Sequence, residues 1–140
     1  MKEQQSPRWR GAIGIAVLWS VLVPGQAGEL VPIDTQWKFR RGTFEEAPTS
    51  IQWRQPAFDD SAWEALPAPF WYGDAQTSPG TELTDMQNNY GSIFLRRQFQ
   101  VTNPAVVSDL FLRMACDDGF MAWINGQEVA RVNVPDGEPT

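Results

Sequence analysis

Asp117-Asp118-Gly119-Phe120-Met121-Ala122-Trp123-Ile124-Asn125-Gly126-Gln127-Glu128-Val129 reads as turn, strand, two-residue turn, strand. Asp-Asp-Gly offers an Asx-type turn, with a glycine free to take positive φ. Asn125-Gly126 between hydrophobic runs predicts a β-hairpin, because a type I′ turn needs φ > 0 at both central residues. The predicted arms are Phe120–Ile124 and Glu128–Val134.

Outward from the hairpin the chain keeps the same character. Gln36–Arg41 alternates, with Trp37 and Phe39 on one face and Lys38 and Arg40 on the other. Ser92–Val101 alternates too, with Ile93, Leu95, Phe99 and Val101 on one face, interrupted by Arg97. Leu110, Leu112, Met114 and Cys116 share a face of a further strand. Ile51 and Trp53 read as a short extended piece, and Phe58–Trp63 as a helical turn capped by Asp59 or Asp60. Pro67 and Pro69 keep the following segment extended. Asp74–Asn89 is polar and turn-rich and reads as a long loop, the kind of segment that carries function when it occurs in a small domain. No helical period of useful length appears. Short strands separated by turn signals predict an all-β fold, an antiparallel β-sandwich.

Residues 1–27 read as a signal peptide. Lys2, Arg8 and Arg10 form a basic n-region, Gly11–Val23 is apolar apart from Ser20, and Gly25 and Ala27 place small residues at −3 and −1 of a cleavage site before Gly28. The apolar run of 13 residues is shorter than the ~20 that a membrane span needs. The expected location is therefore secreted or periplasmic, with no membrane attachment after cleavage. Residues 28–35 form a lead-in segment, and residues 36–140 the β domain. Lys2, Arg8 and Arg10 against Glu3 give the leader a net +2, so its removal takes the chain from −6 to −8. That acidity argues against nucleic acid and anionic membrane surfaces as partners, since both require clustered Lys and Arg. The single cysteine, Cys116, cannot close an intrachain disulfide, so stability must come from the core. Trp37, Trp53, Trp63, Trp71, Trp123 and eight phenylalanines supply the material. Histidine is absent, which excludes Ser-His-Asp and Cys-His catalysis and histidine metal sites within this chain. A two-carboxylate glycosidase remains formally open, but no spacing sets two carboxylates across a cleft.

The succession of pieces resembles a known family. Trp37 in a first strand is followed by FDDSAWEALPAPFWYGD (58–74), then SIFLRRQFQV (92–101), then DLFLRMACDDGFMAWINGQEVARVNVP (109–135). This is similar to the galactose-binding-like jelly-roll domains of secreted bacterial proteins, and in outline to the sugar-binding domain of family 2 glycoside hydrolases. The resemblance covers most of residues 36–135. It implies a jelly roll and a non-catalytic role, binding a glycan or serving as an accessory module. The family domain continues beyond the position of Pro135, so the resemblance also implies a domain incomplete at its C-terminus. An uncovered edge strand there would favour self-association. Two alternatives stay open: a structural or interaction module with no small ligand, and the N-terminal part of a larger secreted hydrolase.

Candidate site residues flank the long loop. Trp71 and Tyr72 precede it, and Asn88 and Tyr90 close it. Aromatic faces suit the C–H face of a pyranose, and amides suit its hydroxyls, so the loop ends could form one glycan pocket. Packing of the same rings in the core is the competing reading. Asp117 and Asp118 are weak candidates for Ca²⁺, which needs six to eight oxygen ligands. A turn role explains the pair without any metal or other cofactor. Arg97 is expected either at a sheet rim or paired with a buried carboxylate.

Overall fold

The computed structural model describes residues 16–23, 26–44, 47–73 and 79–137. The basic n-region, Gly11–Ile15 and Pro24-Gly25 of the predicted leader lie outside the described residues, as does the first part of the predicted long loop, 74–78. Among the described residues the protein is all-β, with ten strands and two single-turn 3₁₀ segments. In chain order the strands are β1 Ala16–Val23, β2 Gln26–Val31, β3 Gln36–Arg41, β4 Glu64–Pro67, β5 Phe70–Trp71, β6 Thr81–Glu82, β7 Ile93–Arg96, β8 Asp109–Ala115, β9 Phe120–Ile124 and β10 Gln127–Val132. No helix among the described residues is long and apolar enough to cross a membrane.

Three antiparallel sheets and one parallel bridge result. They run β2-β1-β8, β4-β3-β7, β10-β9 and β5-β6. The β3 alternation is realised as read: Trp37 and Phe39 are buried, and Lys38 and Arg40 are half-buried on the other face. In register, Phe39 stands opposite Leu95 of β7, and Trp37 opposite Leu66 of β4. Phe39 and Phe70 are fully buried and stack with centroids 5.4 Å apart. Burying each ring is worth roughly 2–3 kcal/mol. Val31, Leu83, Met86 and Tyr90 complete this core, and Leu112, Met114 and Ile124 pack against it as partly buried residues.

The reverse face of the same sheet carries a second aromatic group. The Trp53 indole meets Phe94 and Trp123 edge-on, each at 5.4 Å, and Trp63 at 6.1 Å. The Arg54 guanidinium lies 4.1 Å from the Trp123 centroid, a favourable cation–π geometry.

The hairpin forms as the sequence predicts. Ile124 pairs with Gln127, and Asn125 and Gly126 have φ of 51° and 84°, so both occupy the left-handed region of a type I′ turn. Gly119 is required for a different reason than expected. It is not in the left-handed region; a Cβ there would meet the Val132 carbonyl oxygen at 2.7 Å, so space rather than φ selects glycine.

Several expectations differ from the structure. Ile51–Arg54 is a 3₁₀ turn rather than an extended piece, begun by the Ser50 hydroxyl, which accepts from the Gln52 amide. Phe58–Trp63 contains turns and no helix. There Asp59 accepts from the Ser61 amide at 3.0 Å, an Asx turn. Only Ile93–Arg96 of the predicted 92–101 strand is in a ladder, paired with Arg41–Lys38 of β3. The lead-in 28–35 contributes its first residues to β2. Ala16–Val23 is paired as the central strand of a sheet.

Candidate functional site

Backbone bonds tie the middle of the 74–89 segment back to the strand that precedes it. Phe70 and Trp71 pair in parallel with Thr81 and Glu82. The Leu83 amide donates to the Trp71 carbonyl at 2.6 Å, and the Thr81 hydroxyl to the Pro67 carbonyl at 2.7 Å. The described part of the predicted loop, 79–89, thus enters the short strand β6 and then a run of turns from Leu83 to Asn89.

The four candidate residues do not share one open pocket. Trp71 is 7 % exposed and Tyr90 8 % exposed, so both rings are spent on packing. The Trp71 ring crosses over Gly80, where any Cβ would collide with it. Tyr72 is half-buried against the core cluster that contains Tyr90. Asn88 is exposed at a turn with φ of 62°.

Tyr90 belongs to a polar chain that sequence reading did not identify. Its hydroxyl donates to Asp85 at 2.8 Å. The Asp85 carboxylate also accepts from Arg41 at 2.6 Å, and Arg41 donates to Glu64 as well. Burial first, and then the hydrogen bond to Asp85, push the Tyr90 phenol well above its ordinary value. Burial raises the Asp85 carboxyl, but the bonds from Arg41 and Tyr90 outweigh it and leave the group below the usual carboxylate range. Arg41 is held protonated, chiefly by its bond to Asp85 against the opposing effect of burial. The Asp85 carboxylate, bonded by both Arg41 and Tyr90, is held as an anion. A general acid needs the reverse, a carboxyl kept protonated near neutral pH.

Arg96 and Arg97 divide as interior and rim, and Arg97 takes the rim placement, one of the two expected for it. Arg97 is exposed and donates to the Gln36 carbonyl. Arg96, its side chain only 9 % exposed, pairs with Asp60 at 2.9 Å and donates to the Trp53 and Gln55 carbonyls. It thereby fastens the 3₁₀ turn and the Asp59-Asp60 turn to β7. The two adjacent aspartates preceding a tryptophan hinted at a turn, but nothing local showed which arginine would reach it.

Asp117 and Asp118 are exposed in the turn before β9. The Asp118 carbonyl accepts from the Asn133 side-chain amide at 2.9 Å, and Cys116 Sγ lies 3.2 Å from the Gly119 carbonyl. Burial pushes the Cys116 thiol up, so it is a poor nucleophile. Among the described residues no three Cys, Asp or Glu side chains are grouped to hold a metal ion.

Two concavities are prominent. The smaller, about 250 Å³, is lined by Arg40, Thr49, Ser50, Trp53, Phe58 and Trp63. The larger, about 1220 Å³, is a mainly apolar trough between β7 and the β8–β9 region, with Trp37, Phe94, Leu112, Met114, Trp123 and Ile124 on its walls. None of Trp71, Tyr72, Asn88 and Tyr90 lines either. The buried Trp37 Nε1 has no hydrogen-bond partner among the described residues.

In comparisons with known proteins, no family model, no curated protein and no solved structure matches the chain.

Proposed function

We propose that the chain is a non-catalytic accessory module of an exported protein, a galactose-binding-like β-sandwich of jelly-roll type that works by presenting its surface to other polypeptide. The observation that carries this reading is the use made of the loop-flanking aromatics. Trp71 and Tyr90 are inside the protein, and the Tyr90 hydroxyl is committed to Asp85. A glycan site needs ring faces that are open to a pyranose, and at these two positions the rings are closed off. The large apolar trough supports contact with polypeptide, because continuous apolar surface of that kind marks interaction sites.

A second reading has its own support. The 250 Å³ pocket joins three aromatic walls to Arg40, Thr49 and Ser50, the mixture of apolar faces and polar atoms that a monosaccharide uses. Calorimetric titration with a panel of soluble oligosaccharides separates the two readings. The accessory reading expects no saturable heat from any sugar. Saturable binding that disappears in Thr49→Ala would favour the small pocket. Binding that disappears in Tyr72→Ala would restore the loop site.

A further inference from the structure

Ala16–Val23 has two incompatible uses. As sequence it is the apolar centre of an export signal. In the structure it is a β-strand with a neighbour on each side. Ala16 to Leu22 stand opposite Ala115 to Asp109 of β8 without interruption, seven antiparallel pairs. On the other side Trp19 to Val23 pair with Val31 to Gln26 of β2. Ala27 lies opposite Leu22 and Gly28 opposite Val21, so the peptide bond expected to be cut is inside the β1–β2 ladder.

Neither neighbour has another strand to fall back on. Among the described residues β8 and β2 each pair with β1 alone. Cleavage after Ala27 would remove the central strand and the first two residues of β2 together. The row of β8 amides and carbonyls would then be an open edge, the arrangement that draws in another strand. Conversely, a peptide bond held in a ladder is shielded from a peptidase until the ladder opens locally.

We infer that the groove between β2 and β8 is a strand-acceptor site occupied by the chain's own Ala16–Val23. Occupation of this groove and cleavage after Ala27 are alternative fates of the same residues. Occupancy rests on the strand register alone. Its exclusion of cleavage rests on the proposal that the chain is exported.

The test uses the full 140-residue chain. Cys116→Ser removes the native thiol. Two double variants are then made, Val17→Cys with Met114→Cys and Leu18→Cys with Arg113→Cys, each a facing pair in the register. Adjacent pairs in an antiparallel ladder alternate between wide and narrow Cα spacing, so one of the two has geometry that a disulfide accepts. At least one pair should oxidise nearly completely, while Leu18→Cys with Ala115→Cys, two positions out of register, should stay reduced. Hydrogen exchange on the unsubstituted chain provides a second reading, with alternate amides of Leu110–Met114, those that face β1, protected. Signal peptidase should cut the urea-unfolded chain at Ala27 and cut the folded, oxidised chain at least ~10-fold more slowly, since the bond is reached only through local opening. Absence of cross-linking in both facing pairs, or β8 amides exchanging as freely as a loop, overturns the occupied groove. Equal cleavage rates overturn the exclusion. If the unfolded chain is not cut at all, the export reading fails and the exclusion falls with it, while cross-linking still decides occupancy.

Discussion

Among the described residues, eleven hydrophobic side chains are buried between Val31 and Tyr90, whereas none is buried from Gly91 to Gly137. The composition of the two regions does not account for this. The later region holds Phe94, Leu95, Leu112, Met114, Trp123 and Ile124, as apolar a set as the first. The difference lies in coverage. Phe39 sits in a strand with neighbours on both edges and has Phe70 stacked on its face. Leu112 and Met114 have only one side packed, and their other side opens on the trough. β10 has one partner, and Val129 and Val132 are 49 % and 44 % exposed on it. A hydrophobic sequence therefore makes a core only where a second layer meets it.

The sharpest way to break this comparison is to truncate one residue in each region. Phe39→Ala should cost about 4 kcal/mol in urea unfolding, the loss for a fully buried ring. Leu112→Ala should cost only about 1 kcal/mol, since its side chain is only partly buried. Because a domain of this size holds roughly 5–15 kcal/mol in total, the first change should leave the chain close to unfolding. Equal losses would show that the later region is as well packed as the first.

Neighbouring arginines provide the next contrast. Arg96→Met removes one partner of a largely buried ion pair, strands Asp60 and frees the 3₁₀ turn, at a cost of about 3 kcal/mol. Arg97→Met, at the exposed rim, should stay within about 0.5 kcal/mol. Chemical unfolding midpoints for the two variants decide it, and a reversal of their order would mean that Arg97 is the anchoring residue.

Titration tests the polar chain that borders the closed region. The Tyr90 phenol is raised in the folded protein, so its contribution is complete below about pH 10, where an unfolded tyrosine ionises, and is lost as pH climbs through the folded value. Asp85 is lowered, so its contribution is complete above the ordinary carboxylate range and is lost as pH falls through the depressed value. Tyr90→Phe should cost about 1 kcal/mol at neutral pH and flatten the alkaline limb of a plot of stability against pH. Asp85→Asn should flatten the acid limb. An unchanged alkaline limb in Tyr90→Phe would assign that limb to other groups.

The smallest effect on stability is expected at the open edge. Val129→Lys with Val132→Lys should leave the unfolding free energy within about 0.5 kcal/mol, because both side chains already face water. The same pair should reduce self-association in sedimentation velocity, since lysines on an edge strand discourage pairing with a second chain. Association that persists undiminished would place the sticky surface elsewhere, with the trough as the next candidate.

Local chemistry was legible in the sequence. The all-β character, the β3 alternation, the Asn125-Gly126 turn and the common face of Leu112, Met114 and Cys116, though not the exposed Leu110 expected beside them, are visible there because each depends on residues one or two positions apart. Period-two patterning and the φ preferences of single residues act at that range. Residues 51–54 were misread because a single turn has too few residues to show a period, and the Ser50 hydroxyl decides it.

What tertiary structure alone decided is pairing across distance. Arg96 reaches Asp60, 36 positions away, and Arg41 reaches Asp85, 44 positions away. Trp71 and Tyr90 look like ligand-binding aromatics when read beside a polar loop, and only the folded chain turns them inward. The same holds for Ala16–Val23, whose apolar run is equally suited to an export signal and to a central strand. Composition determines that such a segment leaves water. Which surface it leaves water for is set by partners far away in the chain, and those are chosen only when the sheets assemble.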